Sequence, residues 1–332
     1  MAIRALLHLV DGEEASRAVE RAGLEQASIA WRDVLHDGPV HDVDEGALAR
    51  MRAAFIAGSG WGSEVAAVDA FSERDLRLRQ VLASDAELVI WFGPGVQQQL
   101  QRLQVLARVA RLAGPDVTVC EAPLDGQPGT RSAGALQAAF EQRRVVGTAI
   151  LARALDGWLA FTADDAGRLD RLLEGDDAGA PDLDAAIRRW REEFPASRDG
   201  LSRTERQVLE ALDRGVFRVR DVYVAACHHA EEVAFHADLP FATLLCRLAA
   251  GPVPLLSHPD QRPVAMPGPG SGNSVFWNDS LLISRAGRER LAGTGDWMLN
   301  APPRWMGGVA LHGPAGWRWD RLANRMRKVA AG

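Results

Sequence analysis

The sequence contains one lysine, Lys328, and one tyrosine, Tyr223, so arginine carries nearly all of the positive charge. Schiff-base catalysis, a P-loop lysine and a kinase-type phosphate lysine would each have to use Lys328, close to the C-terminus. Those reaction classes are set aside. Cysteine is scarce as well. Cys120, Cys227 and Cys246 are far apart, show no CxxC spacing and sit among apolar residues. They read as free thiols of a reducing compartment rather than a disulfide or redox motif. No run approaches the roughly 20 apolar residues of a membrane span, and MAIRALLHLVDGEE reaches Asp11 too soon for a signal peptide. The chain is therefore expected in the cytoplasm, away from membranes. A net charge of -6 argues against a generic nucleic-acid coat.

What is present is an ordinary globular composition, 47% hydrophobic and 25% charged, in a chain of 332 residues. That length suits about two to three domains. The most informative stretch is ASIAWRDVLHDGPV, Ala27 to Val40. An apolar run ends in Trp31, then Arg32, Asp33 and His36 arrive almost together before Asp37-Gly38-Pro39 turns the chain. Charges at the end of a buried strand are costly unless they have a purpose, which marks a candidate site.

Around it, ALLHLV (Ala5 to Val10) reads as a buried strand and GEEASRAVERAG as a helix closed by Gly23. Leu24 to Trp31 reads as a second strand. ELVIWF (Glu87 to Phe92) is the clearest strand. Gly93-Pro94-Gly95 turns it into a long helix, VQQQLQRLQVLARVARLAG, and DVTVC follows. Helical sequence also covers Glu45 to Ala57 and Phe71 to Ala83. A β-loop-α-β order with apolar strands predicts a parallel, Rossmann-like α/β domain over residues 1–125. Three strands end in polar or glycine-rich crests: Asp11-Gly12, Arg32-Asp33 and Gly93-Pro94-Gly95. In an open parallel sheet, ligands bind outside the carboxyl ends of the strands, where the winding reverses. One shared crevice is predicted there. Its alternative is structural, with Asp11 and Ser16 capping the first helix and Arg32 pairing with Asp33 or Asp37.

The crest glycines do not form GxGxxG, and an acidic turn, Asp11-Gly12-Glu13-Glu14, would repel a pyrophosphate. Asp11, Glu13, Asp33 and Asp37 could collect a divalent cation. A solvated acidic loop is the simpler reading, and no metal or cofactor is assigned.

HLVDGEEAS, WRDVLHDGP and VIWFGPGVQQQLQRLQVLA, in that order and spacing, resemble the bacterial DUF1835 family, whose function is unknown. The resemblance runs more loosely through LSRTERQVLEAL, LLISRAGRERLAG and RWMGGVALHG. It implies the fold above and no particular activity. Gly95 and Gln98 stand where acidic residues are expected in related sequences. Gln97, Gln98 and Gln99 can hydrogen-bond but cannot serve as a general base.

Residues 126–200 read as a helical connector, with Thr162 as an N-cap for ADDAGRLDRLLEG and DLDAAIRRWREEF as an amphipathic helix. Residues 201–332 read as a winged-helix-like domain with a small β hairpin. Ser202-Arg203-Thr204-Glu205 opens its first helix. Its third helix carries only Arg247 among Leu244, Leu245 and Leu248. That suits burial against protein, not sequence-specific reading of DNA. His228, Glu232 and His236 would share one face only if their helix ran unbroken. A solvated face is preferred over a zinc site. Trp277, Trp297, Trp305, Trp317 and Trp319 could stack bases or sugars but read first as the core of a small β subdomain. The basic run Arg321, Arg325, Arg327, Lys328 could touch phosphate but reads first as a frayed solubilising tail.

Two functions stay open. In the first, a hydrolase or transferase acts on a small molecule or nucleotide. Arg32 orients an anion, Asp33 is base or metal ligand, and His36 is acid/base, with Asp11, Gly12, Ser16, Trp31, Gly93 and Gln98 lining the crevice. In the second, the protein is a non-catalytic regulator that senses a ligand and contacts a protein partner through the winged helix.

Overall fold

A computed structural model describes residues 5–24, 27–176, 179–233, 235–267 and 271–330. The chain runs β1 (Ala5–Val10), α1 (Gly12–Arg21), β2 (Ala27–Ala30), β3 (Gly38–Pro39), α2 (Glu45–Gly58), α3 (Glu64–Leu82), β4 (Ala86–Trp91), α4 (Val96–Leu112) and β5 (Thr118–Glu121). There follow α5 (Ala133–Glu141), β6 (Arg144–Val145), α6 (Thr148–Phe161), α7 (Gly167–Glu174) and α8 (Pro181–Arg191). The last third holds α9 (Arg203–Asp213), α10 (Val219–Val224), α11 (Asp238–Ala249), β7 (Leu256–Ser257), α12 (Ser271–Asn278), β8 (Leu282–Ile283) and α13 (Arg285–Leu291). Four strands close the chain: β9 (Arg304–Gly307), β10 (Val309–Leu311), β11 (Gly316–Asp320) and β12 (Arg325–Val329).

The fold is α/β. Its sheet has the order β2-β1-β4-β5-β6, with the first four strands parallel and β6 antiparallel. Strand pleating sends alternate residues to opposite faces. Leu7, Leu9, Leu88 and Ile90 join one core with α2, α3 and α4. Val10, Val89, Trp91 and Cys120 join another with α1 and α5. From β1 the chain winds outward to β2, then returns past β1 to β4, so the winding reverses between β1 and β4. Glu121 lies beside Ile90 on the next strand out.

α4 is the central helix, packed between the sheet and the pair α6 and α8. It is buried on almost every side, glutamines included. Burying an amide costs about 1–3 kcal/mol per unmet hydrogen bond, so each glutamine must find a partner. Gln98 donates to Asp11, Gln99 to the Gly93 carbonyl and Gln101 to the Asp33 carbonyl, while Gln104 accepts from Trp31. This helix thereby fastens all three crests to one another.

α9, α10 and α11, with the short β7/β8 pair, enclose a separate winged-helix-like core. Ser202 and Glu205 form the capping box expected at the start of α9. α11 turns Phe241, Leu244, Leu245 and Leu248 inward, and Arg247 is spent on buried Glu205 at 3.0 Å. Cys120 and Cys227 are buried, Cys246 is partly so, and none of the three forms a disulfide with another described cysteine. Among the described residues, no helix is long and apolar enough to cross a membrane.

The divisions of the chain differ from those expected. The connector contributes a sheet strand, β6, and its α5 covers one sheet face. The C-terminal strands leave the winged helix altogether: Met306, Val309, Leu311, Trp319 and Met326 pack into the core of the first domain. β9 lies parallel to β3, with Gly38 opposite Met306 and Pro39 opposite Gly307. Thr162 is not an N-cap. It ends α6 and donates its hydroxyl back to the Trp158 carbonyl at 2.7 Å, whereas α7 begins only at Gly167. The basic tail is ordered as the β11/β12 hairpin.

Candidate functional site

The register sets Val10 beside both Ala30 and Trp91, so the residues that follow, Asp11, Trp31 and Phe92, leave the sheet along one rim. The three crests lie along one rim and are tied to α4, but the open hollow on that rim, beyond β4, is lined by none of Asp11, Gly12, Arg32 and Gly93. Gln98 Nε2 donates to Asp11 Oδ2 at 2.6 Å, and the Gly12 backbone lies against the Arg32 side chain. Asp11 starts α1 without capping it; its carboxylate serves the α4 glutamines instead. Burial raises its pKa, opposed by hydrogen bonds from Gln98 and Gln101. Arg32 reaches outward with 62% of its side chain exposed and Glu13 at 3.4 Å, not Asp33 or Asp37. Gly93 has a steric reason: a Cβ there would lie 2.6 Å from the Gly126 carbonyl oxygen of the loop that crosses it.

The other predicted residues turn away from the rim. Asp33 is buried and receives the Arg52 guanidinium through Nε at 3.0 Å and Nη2 at 2.8 Å. Arg52 also donates to the carbonyls of Val34, Asp37 and Pro39. It thus ties the whole turn after β2 to α2, and the Asp33 carboxylate is a clamp for that turn, not a free base. His36 is buried against Phe235 and His236, with ring centroids 5.1 and 5.2 Å away. Neither of its ring nitrogens has a partner, and burial lowers its pKa to about 4. It sits at the seam between the first domain and the loop preceding α11, where the Trp190 indole donates to its carbonyl. Trp31 is fully buried, with the Arg74 guanidinium 3.9 Å over its ring. Ser16 shares a 2.5 Å hydrogen bond with Ser28 and fastens α1 to β2. The trio Arg32, Asp33 and His36 is therefore not a catalytic constellation.

The acidic quartet does not assemble either. Asp33 is held by Arg52, and Asp37 accepts from the Gly38 amide at 3.0 Å. Among the described residues, no three His, Cys, Asp or Glu side chains gather as ligands of one ion. His228 and Glu232 are parted from His236, because the helix ends in a π-helical turn, Ala225–His229.

An open hollow lies one strand further along the same rim, between the ends of β4 and β5, with a volume of about 330 Å³. Phe92, Gln99, Arg102, Glu121, Leu124 and Arg144 line it. Arg102 grips Glu121 through two bonds, of 2.5 and 2.8 Å, on its floor. Gln99 gives its amide hydrogens to Gly93, but its buried Oε1 has no donor. A larger groove of about 580 Å³ runs between α6 and α7, away from the rim, and its Arg153 is already bonded to Asp184. Sequence reading passed over Gln99, Arg102 and Glu121. The available signal was the spacing of Gln99 and Arg102, one helical turn apart just after a strand crest. Arg52 was missed although it stands one turn after Leu48 on the apolar face of α2, where a charge needs a partner.

Compared with known proteins, the sequence matches no family model and no curated protein.

Proposed function

We propose that this protein binds a small polar molecule in the hollow at the carboxyl ends of β4 and β5, as a cytoplasmic ligand-binding protein. The observation that carries the reading is the buried, donor-less Oε1 of Gln99, a residue that lines the hollow together with the Arg102–Glu121 pair. A buried acceptor without a donor costs about 1–3 kcal/mol, which a ligand N–H or O–H would recover. Arg144 at the mouth would receive an anionic group such as a phosphate or carboxylate. Turnover has weaker support than binding. Asp33 and His36, the residues suited to proton transfer, are engaged elsewhere. For a hydrolase or transferase, the carboxyls at hand are Asp11 on the rim, whose pKa burial raises, and Glu121 in the hollow, which Arg102 holds.

A second reading, a regulator in which the winged helix reports on the ligand, draws on one contact. The Trp61 indole of the first domain donates to Thr243 on α11 at 2.9 Å, which couples the two cores. Membership of the DUF1835 family belongs to the same proposal. Two of the stretches that carry the resemblance, WRDVLHDGP and RWMGGVALHG, are paired as β3 and β9.

The test is a calorimetric and thermal-shift screen of nucleotides, sugar phosphates and amino acids against wild type and Gln99→Leu. A ligand at a hundredfold excess over its Kd adds about 2.7 kcal/mol of stability. Such a gain in wild type, lost in Gln99→Leu, supports the hollow. A panel with no response, or equal responses in both proteins, removes it.

A further inference from the structure

We propose that the C-terminal hairpin, β11 and β12, together with the hollows beneath its tip, is a docking surface for a nucleic-acid strand. The hairpin is fully paired from Gly316 opposite Val329 to Asp320 opposite Arg325. One face, with Trp319 and Met326, is buried in the main core. The other carries Arg318, Arg325 and Arg327, and only Arg318 is neutralised, by Asp296. Arg318 and Arg327 stand directly opposite each other, a like-charge pair that a folded chain ordinarily avoids. Arg321, Arg325 and Arg327 make no ion pair with a described carboxylate, whereas Arg52, Arg153 and Arg247 are each paired with an acid. Asp320, directly opposite Arg325, spends Oδ1 on the amides of Leu322 and Ala323 at the turn.

Two hollows, of about 430 and 440 Å³, share Arg206, Trp319 and Arg321 as walls. Burial and the neighbouring Arg206 cation lower the pKa of Arg321, against Asp199, Glu192 and Glu210, which raise it and also line these hollows. The unpaired cations of the hairpin itself therefore carry the charge argument. Above the hollows Leu322 stands 100% exposed at the hairpin tip, an apolar wedge that no described residue covers.

Charge complementarity asks for a polyanion, and the cations decide its kind. Arg325 and Arg327, two residues apart on one strand face, are about 6.7 Å from each other along the strand. Their planar forks suit successive phosphates. A single leucine gives too little buried area to anchor the protein to a lipid surface, whereas one apolar side chain at a ribbon tip can insert beside a base. Base-specific reading is not implied: every group named contacts backbone or stacks.

The experiment is fluorescence anisotropy of a labelled single-stranded 20-mer with the full chain, across a salt series. Anionic phosphatidylserine vesicles and an acidic peptide run in parallel. With three phosphate contacts, log K should fall against log salt with a slope of about -2. Arg321→Ala/Arg325→Ala/Arg327→Ala should flatten that slope and weaken binding at least tenfold, with the melting temperature unchanged. Leu322→Ala should weaken binding with the slope kept. No binding of the 20-mer, equal binding by the triple variant, or binding of vesicles or acidic peptide alone would each overturn the proposal.

Discussion

Replacing Arg52 with methionine tests the reassignment of Asp33 from chemistry to architecture. Both side chains are 1% exposed, and the guanidinium bonds the Asp33 carboxylate and three carbonyls of the turn between Val34 and Pro39. Removing one partner of a buried pair leaves the other charge unpaired, at a cost of about 3–5 kcal/mol. Asp33→Asn keeps an acceptor for Arg52 and loses only the charge, so it should cost less, about 1–3 kcal/mol. The double variant Asp33→Leu/Arg52→Met leaves no uncompensated charge. It should be less destabilised than the sum of Asp33→Leu and Arg52→Met, by a coupling of at least about 2 kcal/mol. Urea denaturation at neutral pH measures all of these. Ligand binding in the β4/β5 hollow should survive Asp33→Asn, because Asp33 does not line it. Additive single effects, or a cost below about 1 kcal/mol for Arg52→Met, would refute the clamp. Loss of ligand binding in a fully folded Asp33→Asn protein would return Asp33 to the site.

Acid should loosen the seam between the first domain and the loop before α11. His36 titrates near pH 4 in the fold, and His236 well below its ordinary 6.5, both chiefly through burial. Unfolding therefore takes up protons below pH 6.5, so stability falls as pH drops from 6.5 towards 4, by up to about 1.4 kcal/mol per pH unit for each histidine. Melting temperature across that range should decline less steeply in His36→Phe than in wild type; parallel curves would show that the seam does not titrate. Gly38→Ala should destabilise through its backbone alone by about 1–2 kcal/mol, because φ is +81°. Its Cβ would also lie 2.6 Å from the Phe55 ring, and a variant melting within one degree of wild type would contradict that geometry.

Periodicity made much of the scaffold legible. ALLHLV and ELVIWF became β1 and β4 because buried parallel strands are apolar on both faces, and the capping box at Ser202 was visible as a four-residue pattern. Where local pattern and tertiary role diverged, the reading slipped. α3 begins at Glu64, seven residues before Phe71, because its first turns are largely exposed and carry no amphipathic stripe; Val65 is one such residue. Thr162 carries the residue type of an N-cap, yet it back-bonds within the helix it ends. The pairing of β3 with β9 joins residues more than 260 positions apart, and nothing local encodes it.

The site shows the same divide in sharper form. A charge at the end of a buried strand announces that something must compensate it, and Arg32-Asp33 made that announcement. The sequence does not say whether the compensator is a ligand or another side chain. For Asp33 it is Arg52, nineteen residues on, set among Leu48, Ala49 and Ala53 on the buried face of α2. For His36 it is an aromatic seam with Phe235 and His236, which only the folded chain brings within reach. Physical demand for a partner is thus legible before its supply. Several buried atoms stay without an internal partner, the His36 ring nitrogens among them, and the informative one belongs to a residue that lines an open hollow. Gln99 Oε1 is that atom, on the predicted rim and one strand beyond the predicted crest.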